Sequence, residues 1–184
     1  HVSYAAELQY KERFVQENLR RLGGWQGQVE PILPSPKVDG YRNKAQYPIR
    51  LQRGQVTAGF FAPRSHEVVD CRNCRLQPKD FGEILEQVLE FAEEAGLVPY
   101  QEETGTGDLR HVYLRCGEQT GERMVCLVVN GTCLPHAQAL VERLTRFDPR
   151  IVSIQVNFNT KNTNVILGPH TQVLYGKGTI MDRL

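Results

Sequence analysis

The stretch Gly59–Gln77, GFFAPRSHEVVDCRNCRLQ, decides how this chain is read. Phe60-Phe61 close an alternating strand, Pro63-Arg64-Ser65-His66 turn, Val68-Val69 form a short strand, and Cys71 and Cys74 follow three positions apart. Leu76-Gln77-Pro78 then lead into a long helical pattern. A strand-to-helix turn aims both thiols of a CxxC the same way, a common means of holding a metal. Taken alone it is half a site. A structural zinc takes four ligands, and the sequence has neither a second CxxC nor an HxxxH.

Upstream of this stretch the period is two. Ala45, Tyr47, Ile49 and Leu51 alternate with Lys44, Gln46 and Arg50, Arg53-Gly54 turn, and Val56, Ala58 and Phe60 alternate back. The spacing predicts a β-hairpin, with Pro48 placing its first strand at a sheet edge or a bulge. Arg42, Lys44 and Arg50 fall on its polar face and Arg53 at its tip, a stripe able to meet phosphates.

Downstream, Pro78–Ala95 is read as a helix burying Phe81, Ile84, Leu85, Val88, Phe91, Ala92 and Ala95, with Gly96 as its stop. Its other side carries Glu83, Glu86, Glu90, Glu93 and Glu94, a solvated back that faces away from any polyanion. Residues 100–108 are a loop whose Gly-Thr-Gly lacks the strand and helix of a phosphate cradle. Val112, Leu114 and Cys116 alternate, Met124–Val129 is the apolar run of a central strand, and Cys116 and Cys126 are read as core fillers. Pro135 opens a second helix with a stripe of Ala137, Leu140, Val141, Leu144 and Phe147. Ile151–Phe158 is a strand, and Asn164–Leu167 with Gln172–Tyr175 make a closing hairpin.

The fold class follows: α+β, a largely antiparallel sheet with two covering helices in the order β-β-α-β-β-α-β, plus an N-terminal helix and a C-terminal β-hairpin. That N-terminal helix runs from an N-cap at Ser3 to about Leu22, with Tyr4, Leu8, Val15, Leu19 and Leu22 on one face. Trp25–Gly40 is a loop or linker. The five histidines (1, 66, 111, 136 and 170) are dispersed and read as surface or capping residues.

Composition narrows the class. The chain has 184 residues, 40% hydrophobic and 23% charged, with a net charge of +1, so a nucleic-acid role needs a local basic patch. Five scattered cysteines are not a secreted disulfide framework, which favours a reducing cytoplasm. No apolar run reaches the roughly 18 residues of a membrane span. The chain opens without methionine, almost inside a helix, and both ends read as cut from a longer protein.

Four ordered motifs carry a resemblance: HVSYAAELQYKERFVQENLRRLGG, YRNKAQYPIR, GFFAPRSHEVVDCRNCRLQ, and NFNTKNTNVILG with LYGKGTIMDRL. The chain resembles the middle region of bacterial RNA uracil-5-methyltransferases, most of all the 23S ribosomal RNA type. The resemblance implies a parent enzyme that uses S-adenosylmethionine and carries a [4Fe-4S] cluster. Its fourth cluster ligand falls on Cys74, and Cys71 stands where the family has an aliphatic residue. The other three cysteines would precede His1. This segment alone is therefore expected to bind neither cofactor and to be inactive, with Cys74 empty or tied to Cys71. A zinc shared with a partner chain through Cys71 and Cys74 is the alternative metal reading.

The family's aromatic-Gln-x-Asn, D-x-x-C-G-x-G and D-P-P-R strings do not occur in this sequence, and Gln155-Val156-Asn157 is read as structural. No catalytic residue is assigned. The resemblance divides the chain into 1–24, a helix that packs on a missing catalytic domain or pairs two chains, 25–160, a central RNA-positioning domain, and 161–184, a hairpin linker. RNA contacts are expected at Arg42, Lys44, Arg53, Arg64 and His66. The competing readings are a stand-alone RNA-binding or interaction module and a fragment of a tRNA-directed enzyme. The target uridine and the number of target sites are not encoded in this segment.

Overall fold

The computed structural model describes residues 2–183; His1, one of the five histidines above, and Leu184 lie outside them. The chain divides into two compact units, His1–Asp39 and Gly40–Leu184.

The first unit holds helix α1, Tyr4–Arg21. The Ser3 hydroxyl accepts from the Ala6 amide at 3.3 Å, satisfying one of the first-turn donors. The expected stripe is present, yet α1 has no buried residue, and Leu22 beyond it is 84% exposed.

The second unit is one seven-stranded sheet in the order β3-β2-β1-β4-β5-β6-β7 with helices α2 and α3. Its strands are β1 (Lys44–Gln52), β2 (Gln55–Phe61), β3 (Val68–Asp70), β4 (Leu109–Cys116), β5 (Arg123–Val129), β6 (Ile151–Phe158) and β7 (His170–Gly176). Every pairing is antiparallel except β5 with β6, which α3 (Ala137–Phe147) connects. A parallel pair needs such a crossover. α2 (Asp80–Glu94) buries its stripe, and α3 buries Leu140, Val141 and Leu144, with Ala45, Tyr47, Val112, Leu114, Val125, Leu127, Ile154 and Val156 in one core, whereas Phe147 at the end of the expected α3 stripe is 40% exposed. The expected α+β fold and its two covering helices are observed.

Several details differ from the sequence reading. β1 is internal, between β2 and β4. Its first half pairs with β4 as far as Pro48–His111, and its second half pairs with β2 from Ile49 onward. Pro48 sits where the strand changes partner, beside a bulge in β4 between Leu109 and His111, so its missing N–H interrupts no ladder. The closing hairpin forms between β6 and β7, and residues 164–167 lie within the loop that joins them. Asn159 holds that loop by donating to the carbonyls of Val165 and Ile166 at 2.7 and 3.0 Å. Asn157 donates to Gly168 and His170 and accepts from the Gly168 amide at 2.7 Å. Side-chain amides thus take the partners that a ladder would have used. Pro135 precedes α3, whose N-cap is His136 at φ 54°.

Candidate functional site

The thiol turn is clamped from three sides. After β3, Asp70 accepts from the Arg72 amide at 3.0 Å and from its guanidinium, and the Cys74 amide donates to the Cys71 carbonyl at 3.0 Å. Gly40 and Arg42 donate backbone hydrogen bonds to Arg75 and Leu76, at 2.7 and 2.8 Å. β2 and the first turn of α2 close the other sides at glycines: a Cβ at Gly59 would lie 1.8 Å from the Val69 carbonyl oxygen, and one at Gly82 only 2.3 Å from that of Arg72. Two backbone-on-backbone approaches therefore fix the loop that carries the cysteines.

Both thiols are free and half-buried, with no disulfide between them. Burial raises the Cys71 pKa, and the Arg72 hydrogen bond holds Asp70 below the usual carboxylate range. Tyr47 lies beneath, its hydroxyl donating to buried Gln77 at 3.2 Å. Its pKa is raised by burial, then by the nearby Cys74 and Cys71. Among the described residues no three His, Cys, Asp or Glu side chains converge to hold a metal ion. A four-iron cluster takes about four thiolates, so the residues present do not by themselves hold one.

The candidate RNA-contacting residues occupy two places. Arg42 and Lys44 stand exposed at the entry of β1, beside the thiol turn. Arg53 lies at the other end of β1, in a two-residue turn where it and Gly54 take φ of 52° and 78°. Such paired positive φ values match the twist of a hairpin. Arg53 reaches Glu67 at 3.9 Å, and His66 Nδ1 sits 3.1 Å from Glu102 with its ring edge-on to Phe61. Arg64 is exposed in the turn between β2 and β3 at φ 59°. Among the described residues Arg42, Lys44 and Arg64 have no ion-pair partner, so their charge is available to a ligand.

Arg50 departs from the sequence reading. It is buried, bonded to Glu102 and stacked 5.3 Å from the Phe61 ring centroid. Period two places it on the polar face, but Glu102 from the loop before β4 covers it. His111 departs too. It is 6% exposed, and burial, with Arg50 and Arg110 nearby, lowers its pKa to about 3, so it is neutral in the fold. Arg110, 2% exposed, donates to the carbonyls of Asn159 and Lys161 and lies 4.2 Å from the Tyr100 ring centroid. Arg110 and His111 occupy the bulge of β4, which no sequence period marks.

Behind the helices the surface is acidic. Glu90 and Glu94 of α2 receive Arg143 of α3 at 2.9 and 2.5 Å. Among the described residues no helix is long and apolar enough to cross a membrane.

Fold and site together define an α+β scaffold that presents, among the described residues, cations without ion-pair partners and a two-thiol turn on one sheet. Its relatives are RNA methyltransferases. The chain is 42% identical over its whole length to an uncharacterized RNA methyltransferase of Halalkalibacterium halodurans, of which it covers 40%, and 38% identical to one of Clostridium tetani over 99% of the chain and 40% of that protein. It also matches, with TM-score 0.75 and 29% identity over 100% of the chain and 41% of the other, the crystal structure of Pyrococcus abyssi tRNA (uracil-54, C5)-methyltransferase in complex with S-adenosyl-L-homocysteine. The chain thus spans about two fifths of the length of these relatives. No family model matches it.

Proposed function

We propose that these residues are the middle segment of an S-adenosylmethionine-dependent RNA uracil-C5 methyltransferase, acting on 23S ribosomal RNA, and that their task is to hold the RNA. The observation that carries this reading is the end-to-end similarity to RNA methyltransferases. S-adenosylmethionine would supply the methyl group, and no residue of this segment is assigned to that step. Uridine C5 lies inside the stack, so the base must leave it before reacting, and the flanking backbone must be gripped meanwhile. Arg42, Lys44 and Arg64 are free to grip phosphates, and Arg53 and His66 add two further contacts beside their carboxylates. Cys74 would contribute one cluster thiolate in the parent, the rest coming from outside this segment. The nature of the Pyrococcus neighbour favours tRNA as a second reading of the substrate.

The deciding experiment offers purified 23S ribosomal RNA and bulk tRNA to the full-length protein with labelled S-adenosylmethionine. 5-Methyluridine in ribosomal RNA alone is expected. Label only in tRNA replaces the first substrate with the second, and label in neither overturns the methyltransferase reading. Changing Arg42 or Arg64 to Ala in the same protein is expected to weaken RNA binding and to reduce the slope of log K against log salt by about 0.7 per lost phosphate contact. Cys74→Ser is expected to abolish the visible iron–sulfur absorbance of the full-length protein, and an unchanged spectrum would remove Cys74 from the ligand set.

A further inference from the structure

We propose that the helix-free face of the sheet is a single-stranded RNA subsite, in which the Tyr113 ring stacks an unpaired base and Lys44 and Arg115 bind the phosphates beside it. The proposal rests on the functional reading above and adds a site to it. Strand register brings these residues together. Lys44 pairs with Arg115, Gln46 with Tyr113, and across the next ladder Arg115 meets Met124 and Tyr113 meets Cys126. Their strand neighbours Ala45, Leu114 and Val125 point into the core under the helices, so this row points away from it.

The row borders a cleft of about 430 Å³, lined by Tyr113, Arg115, Met124, Cys126, Gln155 and the segment Gly178–Asp182. That volume is of the size that takes a compact organic ligand. Its outer wall is held in place. The Asp182 carboxylate accepts from the Glu118 and Gln119 amides at 2.8 Å each, Thr120 donates to the Met181 carbonyl at 2.6 Å, and the Met181 amide donates to Glu122 at 2.7 Å. The one carboxylate lining the cleft is therefore turned onto backbone donors.

Charge selects the occupant. Lys44 and Arg115 are exposed, directly opposite one another, and among the described residues neither has a carboxylate partner. Like charges so placed repel each other in the free protein, and a polyanion relieves the repulsion. The opposite side of the unit carries the acidic back of α2, which turns a polyanion toward this face. A half-buried aromatic ring beside two opposed cations suits an unstacked base, since stacking on aromatic side chains is how single strands are held and every base offers a ring face. A duplex keeps its bases inside and gives the ring nothing to stack on.

The test uses the full-length protein and a fluorescein-labelled single-stranded RNA. Tyr113→Ala is expected to weaken binding about tenfold or more, with Tyr113→Phe within twofold of wild type. Arg115→Gln is expected to lower the salt slope by about 0.7. Unchanged affinity in Tyr113→Ala, an equal loss in Tyr113→Phe, or an unchanged slope in Arg115→Gln would each overturn the subsite. So would a Tyr113→Ala protein that melts at lower temperature but binds RNA normally, since protein would then lie against the ring. Uridine methylation, followed in parallel, separates the two ideas. If wild type methylates RNA and KM is unmoved in Tyr113→Ala and Arg115→Gln, the subsite fails and the enzyme reading stands. If wild type methylates nothing, the enzyme reading fails, while a Tyr113- and Arg115-dependent affinity still supports the subsite.

Discussion

The two faces of the sheet are built from alternate residues of the same strands and hold their shape by different means. Toward the helices the rows read Ala45-Leu114-Val125-Ile154 and Tyr47-Val112-Leu127-Val156, every residue buried. Away from them the rows read Lys44-Arg115-Met124-Ser153 and Gln46-Tyr113-Cys126-Gln155, mixing charge, aromatic surface and buried polar groups. The first face is non-directional apolar packing and tolerates exchange of like for like. On the second, some polar groups meet particular partners, as Gln155 meets Ser153, and others stand without an ion-pair partner among the described residues, as Lys44 and Arg115 do. Substitutions on the two faces should therefore differ in kind as well as in size.

The largest effect belongs to the helix side. Phe81 is fully buried in the first turn of α2, and Phe81→Ala is expected to cost about 4 kcal/mol by chemical denaturation. A loss under about 1 kcal/mol would mean that the helix face is not the main source of stability.

Next comes His111, on the opposite face. Its pKa is about 3 in the fold and about 6.5 when unfolded, so its contribution is fully present above pH 6.5 and is lost as the pH falls toward 3. By pH 4 the loss is on the order of 3 kcal/mol, at about 1.4 kcal/mol per unit of pH. His111→Gln should flatten the stability profile between pH 6.5 and 4, above the range where Asp70 and Asp148, both lowered, begin to contribute. A profile unchanged by the substitution would show that the imidazole is hydrated.

Gly82 is the third. Gly82→Ala sets a methyl 2.3 Å from the Arg72 carbonyl oxygen, backbone that cannot swing aside. A cost of about 2 kcal/mol is expected, together with faster labelling of Cys74 by a thiol reagent as the turn is pushed open. Equal labelling rates would uncouple the helix from the turn.

How much of this was legible in the sequence follows the same division. The apolar rows were, because Tyr47, Ile49 and Met124–Val129 announce themselves by period and by run length. The apolar period and Gly96 place α2 to within two residues at each end. The polar face was not, because alternation tells which residues leave the core and not what they meet. Arg50 looked solvated until Glu102, fifty-two positions away, was placed on it. His111 looked like a surface residue because no sequence period marks the bulge beside it. α1 shows the converse: its apolar stripe was legible, and none of its residues is more than partly buried. Of the RNA-contact candidates, Arg42, Lys44 and Arg64 have no ion-pair partner among the described residues, whereas no sequence period singles out Tyr113 and Arg115, because only register places them near Lys44.

The smallest effect on folding is the sharpest on function. Lys44 is exposed, has no ion-pair partner among the described residues, and faces Arg115 across a ladder. Opposed like charges destabilise a strand pair by a few tenths of a kcal/mol, so Lys44→Gln should raise stability by about that much. If Lys44 meets a phosphate as proposed, the same change should weaken RNA binding and lower the salt slope by about 0.7. Opposite signs for stability and affinity are what a charge kept for a polyanion requires, and packing alone gives no reason for them. A Lys44→Gln protein that melts lower than wild type would place the ammonium in the fold's own stabilisation, and the difference between the two faces would then be one of degree.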